Sequence, residues 1–203
     1  MVGSRSPSSA ALSEWKAEGT GKRSTGTFSE AARHGEVVVL AVHGAAAETA
    51  VDLAGAPNLA GKLLLDATNP LDFSKGMPPG LFTPSGESLG ERIQRRAPAA
   101  KVVKCFNIVP NELMVDPKVP GGPPDMIICG NDAKAKAHTV EILTSFGWPG
   151  AIDIGGIEGA RWLEALVPLW VRVCGALNNW NVAFRVLRGP APVATGRPPA
   201  ANP

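Results

Sequence analysis

The chain has 203 residues, 44% of them hydrophobic and 19% charged, and a formal net charge of +2. That length supports one globular domain with a real core, and the composition excludes both a disordered charged tail and a membrane protein. The charge is small and forms no basic stripe, which excludes an electrostatic case for nucleic acid.

The first ten residues, MVGSRSPSSA, lack the charged start and apolar run of a secretory signal, and no stretch reaches the ~18 apolar residues of a bilayer span. Cys105, Cys129 and Cys174 have no CxxC spacing and sit in apolar surroundings, so free buried thiols are expected. His34, His43 and His138 carry no ligand spacing. These features predict a cytoplasmic, metal-free protein.

In chain order, Ser6-Pro7 and SSAALSEWKAEG predict a capped helix stopped by Gly19, and Ser29 caps a short turn, SEAARHG. EVVVLAV (36–42) is a β-branched run of the kind buried on both faces of a parallel sheet. The helix AAAETAVDLAG follows, then a second buried strand in KLLLDATNP (62–70). The long Gly/Pro-rich loop LDFSKGMPPGLFTPSGES is a candidate for function, since structureless connections of that length are uncommon. SLGERIQRR predicts a helix with a solvated face, and KVVKCFN (101–107) and PDMIICGND (124–132) two further strands. A helix over 132–146 and a short strand, AIDIGG (151–156), come next.

From Glu158 the period becomes helical, with Leu163, Leu166, Val167, Trp170 and Val171 on one stripe and a second apolar helix through Trp180 to Leu187. Such stripes form core or a dimer interface. The Pro/Ala end, GPAPVATGRPPAANP, predicts a disordered tail. The expected organisation is an α/β dinucleotide-type domain over 1–156, a helical segment over 157–188 and the tail over 189–203. Alternating strands and helices predict a doubly wound parallel sheet with its ligand crevice at the strands' carboxyl ends. Four loops are expected to share that crevice: 41–44, 66–71, 105–112 and 154–161.

The segments GSRSP, VVVLAV, DATNPL, KCFN, ICGND and IDIGGIEGARWLEALVPLW, in this order, resemble the NADP-dependent oxidoreductases of the coenzyme F420 (deazaflavin) type. The nucleotide domain of that family is related to those of pyrroline-5-carboxylate reductases and transmembrane ferric reductases. The resemblance covers residues 3 to about 188 and implies a Rossmann-type NADP domain with a small helical C-terminal part. It implies hydride transfer between the nicotinamide C4 and a deazaflavin C5, with the protein supplying placement and exclusion of water. That step needs no dedicated acid or base, so no catalytic residue is named.

The chain departs from the family pattern at its start. Met1-Val2 stand where the second strand of the family would end, and neither the preceding strand–helix unit of about 25–30 residues nor any GxGxxG turn occurs. GTGKRSTG (19–26) is glycine-rich but follows no buried strand and opens no clear helix. An internal start, a true truncation and a sheet reassembled without the strand all remain open.

The resemblance implies cofactor-binding roles for Ser4, Arg5, Val42, His43, Asn69, Pro70 and Asn107. Ser4 and Arg5, with no acidic residue beside them, suit a ribose 2′-phosphate rather than a free hydroxyl pair; the alternative is a solvated arginine. His43 can equally point to solvent, and Asn69-Pro70 can be a plain turn. Lys104 reads as a snorkelling side chain beside the better candidate, Asn107. Gly155, Gly156 and Arg161 are the substrate-binding candidates, against a simple turn and a solvated helix face. Alternative functions are an imine reductase of the pyrroline-5-carboxylate type and a non-catalytic fragment with weak nucleotide binding. Expected partners are a small-molecule acceptor and a second copy, in a homodimer through the C-terminal helices, with no nucleic acid and no membrane.

Overall fold

A computed structural model describes residues 1–19 and 21–190; most of the expected Pro/Ala tail, residues 191–203, lies outside the described residues. The elements in chain order are β1 (Val2–Gly3), α1 (Ala10–Ala17), β2 (Thr25–Gly26), α2 (Phe28–His34), β3 (Val37–Leu40), α3 (Gly44–Ala54) and α4 (Ala56–Leu59). They continue with β4 (Leu63–Asp66), β5 (Leu71–Asp72), β6 (Gly80–Leu81), α5 (Leu89–Arg96), β7 (Lys101–Lys104), β8 (Met126–Gly130), α6 (Ala133–Ser145), β9 (Ala151–Asp153) and α7 (Ala160–Leu177). The fold is α/β and Rossmann-like, and none of the described helices is long and apolar enough to cross a membrane.

The main sheet runs β3-β4-β7-β8-β9. β3, β4 and β7 are parallel, with Val37 opposite Leu63 and Leu63 opposite Lys101. All four residues of β4 are buried, as an unbroken LLLD run requires when both faces are covered. On one face Leu64 and Val102 pack with Ala47, Ala50 and Val51 of α3 and Leu89 and Ile93 of α5. On the other, Leu65 and Val103 meet Met126, Ile128, Leu143 and Trp148. Each fully buried large aliphatic contributes about 1.5–3 kcal/mol by leaving water.

β1 and β2 form a separate parallel pair. Gly3 is glycine for a packing reason: a Cβ there would lie 3.0 Å from Ala31 Cβ on α2. α2 is a genuine helix rather than the expected short turn, and its cap is Thr27, not Ser29. Thr27 and Glu30 complete a reciprocal capping box, in which the Glu30 N–H donates to Thr27 Oγ1 at 3.2 Å and the Thr27 N–H to Glu30 Oε2 at 2.7 Å. α1 likewise starts later than expected, after Ser9.

The all-parallel expectation needs one correction. β8 pairs with β7 in the antiparallel sense, with Val103 opposite Gly130. The chain between them holds only a 3-10 turn at Asn111–Leu113 and no crossover helix. A parallel return requires such a crossover and an antiparallel return does not. β8 and β9 are joined through α6 and are parallel to each other.

The second C-terminal helix is also absent among the described residues. α7 ends where Asn178 takes the left-handed conformation (φ 47°), and residues 179–190 run on without regular structure. They are tied back by tertiary bonds instead. Trp170 Nε1–H donates to Val182 O at 2.8 Å, and the Asp125 N–H to Phe184 O at 3.0 Å.

Candidate functional site

The carboxyl ends of β3, β4 and β7 carry three loops that interlock. The Ala67 N–H donates to Leu40 O and the Cys105 N–H to Asp66 O, both at 3.0 Å, so each loop leaves the sheet beside the next. Val42 and the exposed His43 lead into α3, whose first turn has no side-chain cap. Gly44 follows because nothing larger fits: a Cβ on it would sit 1.8 Å from Asn69 O. Pro70 is buried, and its carbonyl accepts from the Phe82 N–H at 2.9 Å, fastening the β5–β6 hairpin beside the loop.

Asn69 and Asn107 bind each other reciprocally across this crevice. Asn69 Nδ2 donates to Asn107 O at 2.7 Å, while Asn107 Nδ2 donates to Asn69 Oδ1 at 2.9 Å and to Leu163 O at 3.0 Å. Asn107 is 5% exposed, and its Oδ1 is a buried acceptor with no protein donor. Turning the amide over would set that oxygen against two other acceptors, so the orientation is dictated by the network. A buried acceptor left free has a use for an incoming N–H donor.

Beneath the loops lies a polar cluster that sequence reasoning missed. Lys104 is fully buried, and its ammonium donates to Asp66 Oδ2 at 2.8 Å, Glu164 Oε1 at 2.8 Å and Thr68 O at 2.6 Å. Asp66 Oδ1 also accepts from the Thr68 N–H and hydroxyl. Glu164 accepts from the Leu89 and Gly90 N–H groups at 2.8 and 3.0 Å, capping α5 from a different helix. Burial disfavours the Lys104 ammonium, but the Asp66 and Glu164 carboxylates more than offset this and hold its pKa above the ordinary lysine value. The available signal was register: an Asp and a Lys, each closing an apolar strand, fall opposite each other at Asp66 and Lys104. Lys104 is therefore not a snorkelling side chain; it anchors the loop that presents Asn69.

The other candidates do not join this crevice. Gly155 O accepts from the Gly130 N–H at 3.0 Å, and Gly130 lies opposite Val103. Gly155 thus stands level with Val103 within β7 rather than beyond its carboxyl end, and β9, like β8, runs opposite to β7. Gly155 has φ 107° and Lys136 Nζ donates to its carbonyl at 3.1 Å, so a tight turn explains it. Arg161 is half-exposed but not free: its guanidinium clasps Glu91 at the start of α5, with Nε 2.8 Å from Oε2. Loops 41–44, 66–71 and 105–112 meet through Gly44, Asn69 and Asn107, while the segment after 154–161 reaches them by Leu163 O and Glu164. Ser4 and Arg5 follow β1, across a cleft from β3; Ser4 Oγ accepts from the Ser6 N–H at 3.0 Å, and Arg5 is exposed.

Two of these groups match the ends of a dinucleotide. The free Asn107 Oδ1 suits a carboxamide N–H at one end, and a hydroxyl beside an exposed guanidinium suits a phosphate at the other. The described residues supply no glycine-rich turn opening a helix between them, so the pyrophosphate has no cradle here.

Residues 1–70 match the family model described as "NADP oxidoreductase coenzyme F420-dependent". The chain is 32% identical over 145 residues to the F420-dependent NADP reductase of Methanocaldococcus jannaschii, covering 70% of this chain and 63% of that protein. It is 30% identical over 184 residues to the rat metalloreductase STEAP3, covering 84% of this chain and 32% of that one. The chain thus spans less than two thirds of these relatives. A solved protein of Arthrobacter sp. FB24, assigned by name to the F420-dependent NADP-reductases, superposes with a TM-score of 0.87 at 44% identity, covering 92% of this chain and 87% of that one. A Sinorhizobium meliloti protein, SMa0349, gives a TM-score of 0.62 at 27% identity, with 76% and 71% covered. With the family model over residues 1–70 and the Arthrobacter superposition in agreement, the chain belongs to the coenzyme F420-dependent NADP oxidoreductase family.

Proposed function

We propose that the protein is an NADP-dependent oxidoreductase that moves hydride between NADP(H) and a deazaflavin acceptor of the coenzyme F420 kind. The observation that carries this reading is the Asn69–Asn107 pair, which leaves one buried acceptor oxygen at the carboxyl edge of the parallel strands. NADP(H), when bound, supplies the hydride chemistry. The chain's own residues bind and orient it: Asn107 Oδ1 would accept from the nicotinamide carboxamide and Ser4 with Arg5 would hold the 2′-phosphate. The Val42–His43 turn would pass beneath the intervening ribose. No general acid or base is assigned, since hydride transfer to a held acceptor depends on placement.

Titration with NADPH, read by energy transfer from the tryptophans, tests the reading. Binding with Arg5→Ala losing about tenfold in affinity for NADPH but not for NADH supports it, a difference of about 1.4 kcal/mol. Absence of binding at millimolar NADPH overturns it.

The setting proposed is cytoplasmic, which the free thiols of Cys105, Cys129 and Cys174 favour. Self-association through α7 is proposed on the exposure of Trp162 (73%) and Leu169 (53%). Replacing both with lysine is expected to convert a dimer to a monomer by sedimentation.

A further inference from the structure

The buried cluster beneath the crevice holds more charge than the anchoring of one loop needs. Lys104 and Asp66 alone would balance, yet α7 adds a second carboxylate, Glu164, which is 1% exposed. Buried ion pairs are weak sources of stability, so the use of Glu164 lies in what it fixes.

Two partners of the Lys104 ammonium each adjoin a residue that holds the crevice pair. Thr68, whose carbonyl accepts from the ammonium at 2.6 Å, precedes Asn69. Glu164, whose Oε1 accepts from it at 2.8 Å, follows Leu163. Leu163 O in turn accepts from Asn107 Nδ2 at 3.0 Å. One ammonium thus ties down both the loop that presents Asn69 and the helix turn that holds Asn107.

The start of α7 depends on such ties. Pro168 has no N–H to give to the Glu164 carbonyl, so the helix ladder is interrupted at the turn that carries Glu164. The surrounding backbone is closely packed. A Cβ on Gly90 of α5 would lie 2.9 Å from Ala160 Cβ, and one on Gly159 would lie 2.9 Å from Cys129 Cβ. Sliding α7 by one residue is a shift of about 1.5 Å. It would take Leu163 O off Asn107 and Glu164 off Lys104 together.

We propose that Glu164 is a positioning residue for the crevice. By locking the register of α7 on Lys104, it keeps the Leu163 carbonyl on Asn107 and leaves Asn107 Oδ1 as the free acceptor. The crevice is then competent only while the start of α7 is docked, so the C-terminal helix controls the cofactor site. The use of the crevice for NADP(H) rests on the function proposed above; the placement of Asn107 does not.

Exchange of the Asn107 side-chain amide protons, followed by NMR on the full chain without nucleotide, reads that placement. Glu164→Gln sets an NH2 group against the ammonium or against the Leu89 N–H, and the exchange is expected to rise at least tenfold. The Leu64 and Val102 amides at the centre of the sheet are expected to keep their protection, which a general loss of stability would not spare. Gly90→Ala pushes the start of α7 away without changing a charge. It is expected to give the same signature, and it decides the matter if Glu164→Gln does not fold. In both variants the affinities for NADPH and NADH are expected to fall together, about tenfold, since the nicotinamide end is common to the two. Arg5→Ala, by contrast, separates them. Unchanged Asn107 exchange in a folded variant overturns the proposal, as does equal acceleration at Asn107, Leu64 and Val102. So does an unchanged NADPH affinity once Asn107 is freed. If the wild-type protein binds no NADPH, the cofactor reading falls, and the exchange result alone decides whether Glu164 sets Asn107.

Discussion

At the scale of single residues, position rather than residue type decides the role. Lys104 closes an apolar strand, and only the third dimension gives its ammonium two carboxylates and a carbonyl. Removing it leaves Asp66 and Glu164 buried without their cation. Lys104→Met is therefore expected to cost about 3–5 kcal/mol, read as a fall in urea midpoint with unchanged slope. Adding Glu164→Gln to that variant should recover part of the loss. Gly44 makes the opposite point, since its value lies in what it lacks. Gly44→Ala drives a Cβ into Asn69 O and is expected to cost about 1–3 kcal/mol and to weaken NADPH binding, both measurable on the purified variant. Neither effect is written in the residue itself; glycine before AAAETA reads only as a helix start.

At the scale of elements, α5 and α7 act as one unit. The start of α5 is satisfied three times over: by Ser88 within its own capping box, by Glu164 from α7, and by the Arg161 clasp on Glu91. The hydrogen bonds from Arg161 hold the Glu91 carboxyl below the usual glutamate range. A carboxyl whose folded-state pKa is depressed stabilises the fold above its unfolded value, about 4.3, and loses that contribution as pH falls through the folded value. Thermal unfolding of the protein and of Glu91→Gln from about pH 7 down to about pH 3 should show a gap between them that closes in acid. The capping box of Ser88 and Glu91 is local to α5, whereas the clasp of Arg161 comes from seventy residues away. The reversal of β8 belongs to this scale too, and it leaves Gly155 level with Val103 inside β7 instead of beyond that strand's end.

At the scale of the molecule, three thiols and one cleft set the behaviour. Burial pushes the Cys129 thiol up to about 12, and raises Cys105 and Cys174 as well. A thiol that ionises so high is inert at ordinary pH. None of the three is expected to react with a disulfide reagent at about pH 8 in the native protein, and all three should react once unfolded in guanidinium. The cleft between β1 and β3 lies between the two-stranded sheet that Arg5 follows and the five-stranded sheet whose carboxyl edge carries Asn107.

The sequence by itself determined the α/β class and the positions of β3, β4 and β7, because β-branched apolar runs favour strands; the expected cover on both faces holds for β4 but not for β3, where Val39 is 58% exposed. It determined the DATNP and CFN loops as crevice candidates, because parallel strands deliver their carboxyl ends to one edge. Only the tertiary structure decided that β8 turns back, that Lys104 is a buried anchor, that Arg161 is held by Glu91, and that Gly155 lies elsewhere. Strand direction depends on the path of a connection, and an ion pair on which distant segments meet. Neither is a property of local spacing, which is all that composition and periodicity record.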